Sequence, residues 1–325
     1  MRNRKIPGLV AALASLLAAG SVSSVYAAEG GAGFYLLGSK GPAAAILPPP
    51  GVFFQNDVYY YQGDLGGDRQ LPLGGKLVGA VDASVVVELP TFIWVTPWDP
   101  AGGNFALTTT LPIGWKDVAA KEDLASPLGP VSRSVSDDVF TVGDPIVSGL
   151  VGWHSGDFHW QTGVLVNVPI GDYQKGALAN IAFNHWGSDV FAAGTWFNPE
   201  TGIDISGTVG IAFNVENPAT DYRTGNEFHF EWAVSKHFTE QFSAGIVGYH
   251  YSQLTGDSGS GAKLGDFKGR VTALGAQIGY NFKVGEQAFA TSLKVFQEFD
   301  AKNRAEGTAV FATVSVPISI TPPAP

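Results

Sequence analysis

The sequence predicts an all-β chain, a transmembrane antiparallel up-and-down β-barrel of about twelve strands. Three observations carry that reading. Polar and apolar residues alternate with period two over many segments. Past the N-terminus no stretch is apolar and long enough for a membrane helix, although the mean hydropathy is slightly positive. The connections between the alternating segments are short and long in turn.

Taken in order, the chain starts with Arg2, Arg4 and Lys5 before an apolar run from Pro7 to Gly20. Val25-Tyr26-Ala27 then offers small residues at both positions a signal peptidase reads, so residues 1–27 read as a signal peptide cut after Ala27. The run falls short of the ~20 apolar residues a membrane helix needs. Residues 28–50 are rich in Gly, Ala and Pro and end in Pro48-Pro49-Pro50. Such a segment is no barrel strand and is expected to be a tether or a plug in the lumen. The barrel is expected over 51–318, with 319–325 as a tail.

Strand candidates are 51–61, 76–87, 104–112, 144–154, 158–169, 190–197, 203–214, 226–238, 242–254, 270–282, 288–299 and 307–318. The alternation is cleanest in FHFEWAVSKHF, residues 228–238. Phe228, Phe230, Trp232 and Val234 share one parity, and Glu227, His229, Glu231 and Ser235 the other. Side chains of a strand point alternately to its two faces, so one face is apolar and one polar. Segments 203–214, 158–168, 274–282 and 310–318 repeat the pattern, whereas 190–197 and 242–254 read either way. Residues 88–103, with three prolines and two tryptophans, read as too irregular for a strand.

Magnitude decides which face meets lipid. With the parity reversed, Glu227, His229 and Glu231 would face hydrocarbon, where a basic residue at mid-depth already costs ~2–4 kcal/mol and unpartnered carboxylates are also expensive. Trp232 is therefore expected toward lipid and Ala233 toward the lumen. Lys236 lies on the apolar parity but beside a short turn, where it snorkels at a cost of ~0–1 kcal/mol. Short turns fall at 155–157, 198–202, 239–241 and 283–287, and long loops at 170–189, 215–225 and 255–269, with a shorter polar loop at 301–306. Trp153, Phe158, Trp160, Trp196, Phe238, Phe242, Tyr280, Phe282 and Phe289 gather at the short turns, as in an interfacial girdle. An even strand count puts both barrel ends on that periplasmic side.

Composition narrows the function classes. Of 325 residues 42 are glycine, 12% are aromatic and only 15% are charged. The formal charge of −10 becomes −13 once Arg2, Arg4 and Lys5 leave with the signal peptide. That balance argues against nucleic acid as a partner. There is no cysteine, which excludes a disulfide scaffold, thiolate metal ligation and a lipoprotein anchor.

The inward parity supplies the candidate pore-lining residues His159, Gln161, Asn167, Asp204, Glu227, His229, Glu231, Gln277, Lys294 and Glu298, with Phe296 and Phe311 as aromatic patches. Glu227, His229 and Glu231, joined by His159 or His250, also have the residue types of a metal site. A polar lumen face explains them better. Gly256-Asp257-Ser258-Gly259-Ser260-Gly261-Ala262-Lys263 resembles a phosphate loop but lacks the Gly-Lys-Ser/Thr ending and reads as an external loop. Asp257 and Asp266 alone are a poor calcium set. No nucleophile elbow stands in a strand-to-helix context, so a barrel hydrolase ranks last. No catalytic, cofactor or metal residue is assigned.

Several stretches carry a family likeness: GGAGFYLLGSKGPAAAILPPPGVFF, PIGDY (169–173), NIAFNHW (180–186), NPATDYRTGNEFHFEW (217–232), SQLTGDSGSGAKLGDFKGR (252–270) and EFDAKNRAEGT (298–308). With them the chain resembles, from about Glu29 to Ile318, the outer-membrane family involved in the meta-pathway of phenol degradation. The resemblance implies a barrel in the Gram-negative outer membrane, in contact with lipid and lipopolysaccharide. It implies a channel for passive uptake of small hydrophobic or aromatic compounds, not an enzyme, and no cofactor. The alternatives are a general cation-preferring porin and a structural or adhesive surface barrel. Barrels of the outer membrane usually end on an aromatic residue, a pattern that Val316-Pro317-Ile318 departs from.

Overall fold

The computed structural model describes residues 29–66, 70–124, 131–266 and 268–320. The expected signal peptide and residues 321–325 of the expected tail lie outside the described residues. Fifteen strands follow in order: β1 (Gly51–Asp64), β2 (Gln70–Leu73), β3 (Lys76–Val95), β4 (Asn104–Thr110), β5 (Ile113–Leu124), β6 (Val131–Val142), β7 (Ile146–Ser155), β8 (Phe158–Asn167), β9 (Gly187–Asn198), β10 (Ile203–Asn214), β11 (Glu227–His237), β12 (Phe242–Gln253), β13 (Arg270–Val284), β14 (Gln287–Lys302) and β15 (Glu306–Ile320). All pairings are antiparallel, and β1 closes the sheet by pairing with β15 on one side and β3 on the other.

The wall is a closed barrel of twelve strands, because two of its strands are each broken in the middle. β4 and β5 run end to end along β3, separated at Leu111-Pro112. β6 and β7 run end to end along β5 and β4, separated at Gly143-Asp144-Pro145. A proline has no N–H for the ladder, so each break falls at a residue that interrupts pairing. β2 is a short arm on the outer end of β3.

The twelve expected strands all lie in this wall, and two differences are informative. Residues 88–95, expected to be irregular, complete a 20-residue strand, β3. Pro90 is tolerated there because it stands between Glu88, opposite Ile113, and Thr91, opposite Thr110, where β3 changes partner. The second difference is the β5–β6 hairpin, absent from the sequence reading, which raises the wall on the long-loop side. β6 pairs only with β5 among the described strands. Loop 168–186 packs on its inward face and one end of its edge: Leu178 and Ala179 N–H donate to the Asp137 carboxylate (2.8 and 3.1 Å), and Asp172 N–H donates to the Val142 carbonyl (3.0 Å).

The alternation sets the two faces. In β10, Asp204 is 1% exposed and the next residue, Ile205, 48%. Phe230, Ile246, Leu274, Ile278 and Val295 continue the outward apolar face around the barrel. No helix among the described residues is long and apolar enough to cross a membrane. The girdle is built as pairs of rings at the short turns: Trp153 on Trp160 (6.4 Å), Phe238 on Phe242 (5.8 Å) and Phe282 on Phe289 (5.2 Å). Lys236 turns to the Thr201 carbonyl at such a turn.

Residues 29–50 lie inside the barrel. Glu29 is held at the long-loop end by Asn217 (2.9 Å) and Thr220 (3.1 Å), and the segment descends to Gly51 at the short-turn end. At mid-height Tyr35 and Leu37 pack in one buried cluster with Ala233, Val247, Tyr249, Phe296 and Phe311. Ala233 does face inward, but its surroundings are packed rather than wet.

Candidate functional site

The polar parity of β8 to β14 and the backbone of residues 38–45 meet in the middle of the barrel. Ser39 and Lys40 are the polar residues of the segment, and the Lys40 ammonium lies 5.3 Å from the Phe191 ring centre; most of the other contacts are made by the segment's own N–H and C=O groups. Lys294 extends its ammonium to three successive carbonyls, those of Gly38 (2.5 Å), Ser39 (2.8 Å) and Lys40 (3.1 Å), and lies 4.8 Å from the Phe311 ring centre. Lys40 N–H donates to Glu231 (2.9 Å), Ala43 N–H to Asp204 (2.9 Å) and Ala45 N–H to Thr195 Oγ1 (3.1 Å). Gln161 donates its amide to the Ala44 carbonyl. Gln277 lies beside Gly41, where an added Cβ would be 3.2 Å from its Oε1.

Above this joint the interior carboxylates are bound up in further bonds. His229 Nε2 lies 2.8 Å from Asp189 Oδ2, and Tyr35 stacks on the imidazole with ring centres 3.5 Å apart. Glu227 accepts from Tyr251 (2.6 Å) and Asn214 (2.9 Å). Glu298 accepts from Tyr61, Tyr249 and Gly307 N–H (each 2.9 Å), and Arg304 lies 3.6 Å from it.

Of the ten residues singled out from the sequence, Gln161, Asp204, Glu231, Gln277 and Lys294 surround the luminal segment at 38–45, and Glu227, His229 and Glu298 line the lumen above it. Asn167 is buried but serves the long-loop end, donating to Asp144 (3.1 Å) and the His185 carbonyl (2.8 Å). His159 stands apart, partly exposed near a short turn beside His154. His250 is on the opposite face of β12 from Tyr249 and Tyr251 and bonds Thr272 (2.9 Å), so it does not join His229. Among the described residues no group of three or more His, Asp or Glu stands ready for a metal ion.

Sequence reasoning missed Tyr35, Lys40, Asp189, Tyr249, Tyr251 and Arg304. The sequence reading puts Asp189 at the end of the long loop 170–189, whereas it lies in β9, and its inward parity follows from Phe191, Ala193 and Thr195, all buried. Tyr249 and Tyr251 lie in the other open segment. A polar hydroxyl on a large ring satisfies neither template, and only the carboxylates opposite explain the two tyrosines.

The glycine-rich loop has a structural task. Asp257 turns inward and accepts from Gly225 N–H (2.8 Å), Gln253 (2.5 Å) and the Tyr222 hydroxyl, fastening loop 215–226 to loop 254–269. Burial pushes its carboxyl up to about 7, against the pull of those donors.

The luminal segment divides the interior space in two. On the short-turn side is a cavity of about 1170 Å³, with Gln55, Asp57, Thr108 and Ser148 among its lining residues. On the long-loop side is one of about 250 Å³ against Val85, Val87, Leu89 and Leu178. Both touch Phe34, Leu36, Leu89 and Ile146, so these side chains border both spaces.

A family model described as Putative MetA-pathway of phenol degradation matches residues 67–314. Among solved structures, an outer membrane channel from Pseudomonas putida F1 has a TM-score of 0.64 and 14% identity, over 84% of this chain and 97% of that one, which shows a shared fold. A FadL homologue from Pseudomonas aeruginosa aligns at a TM-score of 0.41 with 10% identity, over 85% and 92% of the two chains. The translocator domain of the autotransporter NalP from Neisseria meningitidis aligns at 0.44 with 10% identity, over 84% and 90%. No curated protein matches the sequence.

Proposed function

Since the chain belongs to the family described as Putative MetA-pathway of phenol degradation and closes as a barrel with an apolar outer face, we propose that it is an outer-membrane channel for passive entry of small hydrophobic or aromatic compounds. The observation that carries the proposal is the division of the lumen: two cavities in line, kept apart by a segment fastened through its backbone. In this reading the segment 29–50 is the gate. Moving residues 34–45 aside joins a small apolar chamber on the outer side to a large, more polar one on the periplasmic side. The apolar chamber favours solutes that shed water cheaply, and the wide chamber releases them.

A general porin fits less well. Such a pore needs a continuous wet path, whereas Phe296, Phe311, Tyr249 and Leu37 pack together at mid-height. The lumen carboxylates that would attract cations already accept bonds from tyrosines, backbone N–H groups and Arg304.

The test is uptake of radiolabelled phenol and of benzoate by intact cells with and without this gene, with a small sugar as control. Slower aromatic entry with unchanged sugar entry is expected. Equal loss of sugar entry would replace the proposal with a porin, and no change in any solute would overturn transport altogether.

A further inference from the structure

The chamber on the long-loop side has a chemistry more specific than greasiness. Its floor and one wall are apolar, from Leu36 of the luminal segment and from Val85, Val87 and Leu89, which β3 points inward. Leu178 and Ile181 of loop 168–186 add to the apolar lining. Into this lining β5 sends Lys116, on the inward parity with Val118 and Ala120.

The charges around the chamber are unequally occupied. Asp144 accepts from Asn167, Gly171 N–H, Phe183 N–H and Asn184 N–H (3.1, 2.9, 2.8 and 2.9 Å). Glu29 accepts from Asn217 and Thr220, and Arg304, whose Nε has no partner among the described residues, has Glu298 at 3.6 Å as its counter-charge. Lys116 has one protein acceptor, the Asn180 carbonyl at 3.1 Å, and among the described residues no carboxylate within ion-pair distance. An ammonium has three donors, and holding one beside apolar side chains without a counter-charge is costly. An anion in the chamber would remove that cost.

The volume limits the rest of the ligand. A cavity of ~150 Å³ takes up benzene, so about 250 Å³ holds one ring and a substituent and excludes long acyl chains. We propose that this chamber is a binding site for a single-ring aromatic carboxylate, with the ring against Val85, Val87 and Leu178 and the carboxylate on the Lys116 ammonium. The assignment rests on the channel reading for its purpose, since it makes the chamber the first station of the path.

The experiment measures binding calorimetrically on the purified full-length barrel in detergent at pH 7. The probes are benzoate, its neutral counterpart benzamide, and toluene. Benzoate is expected to bind at least tenfold more tightly than benzamide. Lys116→Met should lose that preference and keep toluene, Lys116→Arg should retain it, and Val87→Phe, which fills the chamber, should lose all three ligands. Heat-modifiable migration on gels verifies that each variant is folded. Equal affinity of the wild type for benzoate and benzamide, or unchanged benzoate binding by folded Lys116→Met, overturns the assignment. The two readings fail separately. Benzoate uptake that depends on the gene, without benzoate binding by the purified barrel, leaves the channel and removes the site. Binding with the expected variant pattern but gene-independent uptake leaves the site and removes the channel.

Discussion

Replacing Lys294 by Met should free the luminal segment. The change keeps most of the stem volume against Phe311 and removes the ammonium that three carbonyls share. A hydrogen bond to a charged group contributes ~1.5–3 kcal/mol, and a buried carbonyl deprived of its donor loses ~1–3 kcal/mol. The three bonds share one cation, and water from the cavity of about 1170 Å³ can reach the vacated carbonyls, so they do not add in full. A net shift of ~2–3 kcal/mol toward the undocked segment is the expected size, roughly 30- to 150-fold in the ratio of undocked to docked chains. The remaining ties, to Glu231, Asp204, Thr195 and Gln161, keep the docked form in the majority.

The chain has no cysteine, so one introduced thiol reports on docking without background. Ala45, in the segment itself, is 2% exposed when docked, and Ala45→Cys changes little volume. Maleimide labelling of Cys at that site is limited to the undocked fraction when docking is fast compared with labelling. Added Lys294→Met should raise the labelling rate about 30-fold or more, and single-channel recordings should show more frequent large openings. Gly38→Ala attacks the same joint from the other side. Gly38 has φ of +84°, and a methyl group there would lie 2.9 Å from Phe296 Cε2, so it should accelerate labelling as well. Wild-type labelling and conductance in both variants would refute the idea that this joint holds the gate.

Two further outcomes test the register and the loops. Ile246→Lys, on a side chain 53% exposed on the outer face, should destabilise the barrel by about 2–4 kcal/mol in urea unfolding from micelles, whereas Thr108→Lys, lining the wide cavity, should cost under about 1 kcal/mol; equal costs would contradict the assignment of faces. Asp257 should make the loop pair 215–226 and 254–269 pH-sensitive: with the folded carboxyl near 7 and the unfolded one at its ordinary value of 3.8, the folded pair holds the extra proton in between. Stability should therefore be greatest toward pH 4 and be lost as pH rises through 7. Amide exchange at Gly225, corrected for its intrinsic pH dependence, should be faster at pH 8 than at pH 6, and Asp257→Asn should flatten the difference. Equal or greater protection at pH 8 would sink it.

Period-two alternation was enough to place the wall because a membrane barrel has one face in lipid and one in the lumen, and a strand such as 203–214 has no other way to satisfy both. Where the interior is packed rather than wet, that signal fails. Phe191, Val247 and Tyr249 are apolar or aromatic and face inward, which is why 190–197 and 242–254 read either way. The β5–β6 hairpin was missed for a different reason. It stands at the long-loop end, and its inner face mixes Lys116 with Val118 and Ala120, so neither parity is consistently polar. Of the site, the polar half was legible from strand parity. Its partner was not, because residues 38–45 act through backbone groups that every sequence possesses.

A plug held by its own side chains would need a matching pocket for each, and withdrawing it would expose apolar surface to water. Between Gly38 and Ala45 only Lys40 carries a long side chain, its ammonium 5.3 Å from the Phe191 ring centre, so most of the docking contacts are made by N–H and C=O groups. Water replaces such partners at little net cost, which is why a hydrogen bond strong in isolation contributes only ~0.5–1.5 kcal/mol net. The charged residues opposite, Asp204, Glu231 and Lys294, are likewise groups that remain soluble once the segment leaves. Both sides of the joint are therefore stable docked and wet apart. The apolar anchors, Tyr35 and Leu37, lie above the joint against Ala233, Val247 and Phe296, beside residues that also border the small chamber. An aromatic solute competing for that surface would weaken the anchors while the polar joint below is free to hydrate, which couples the arrival of a hydrophobic molecule to the opening of the path beneath it.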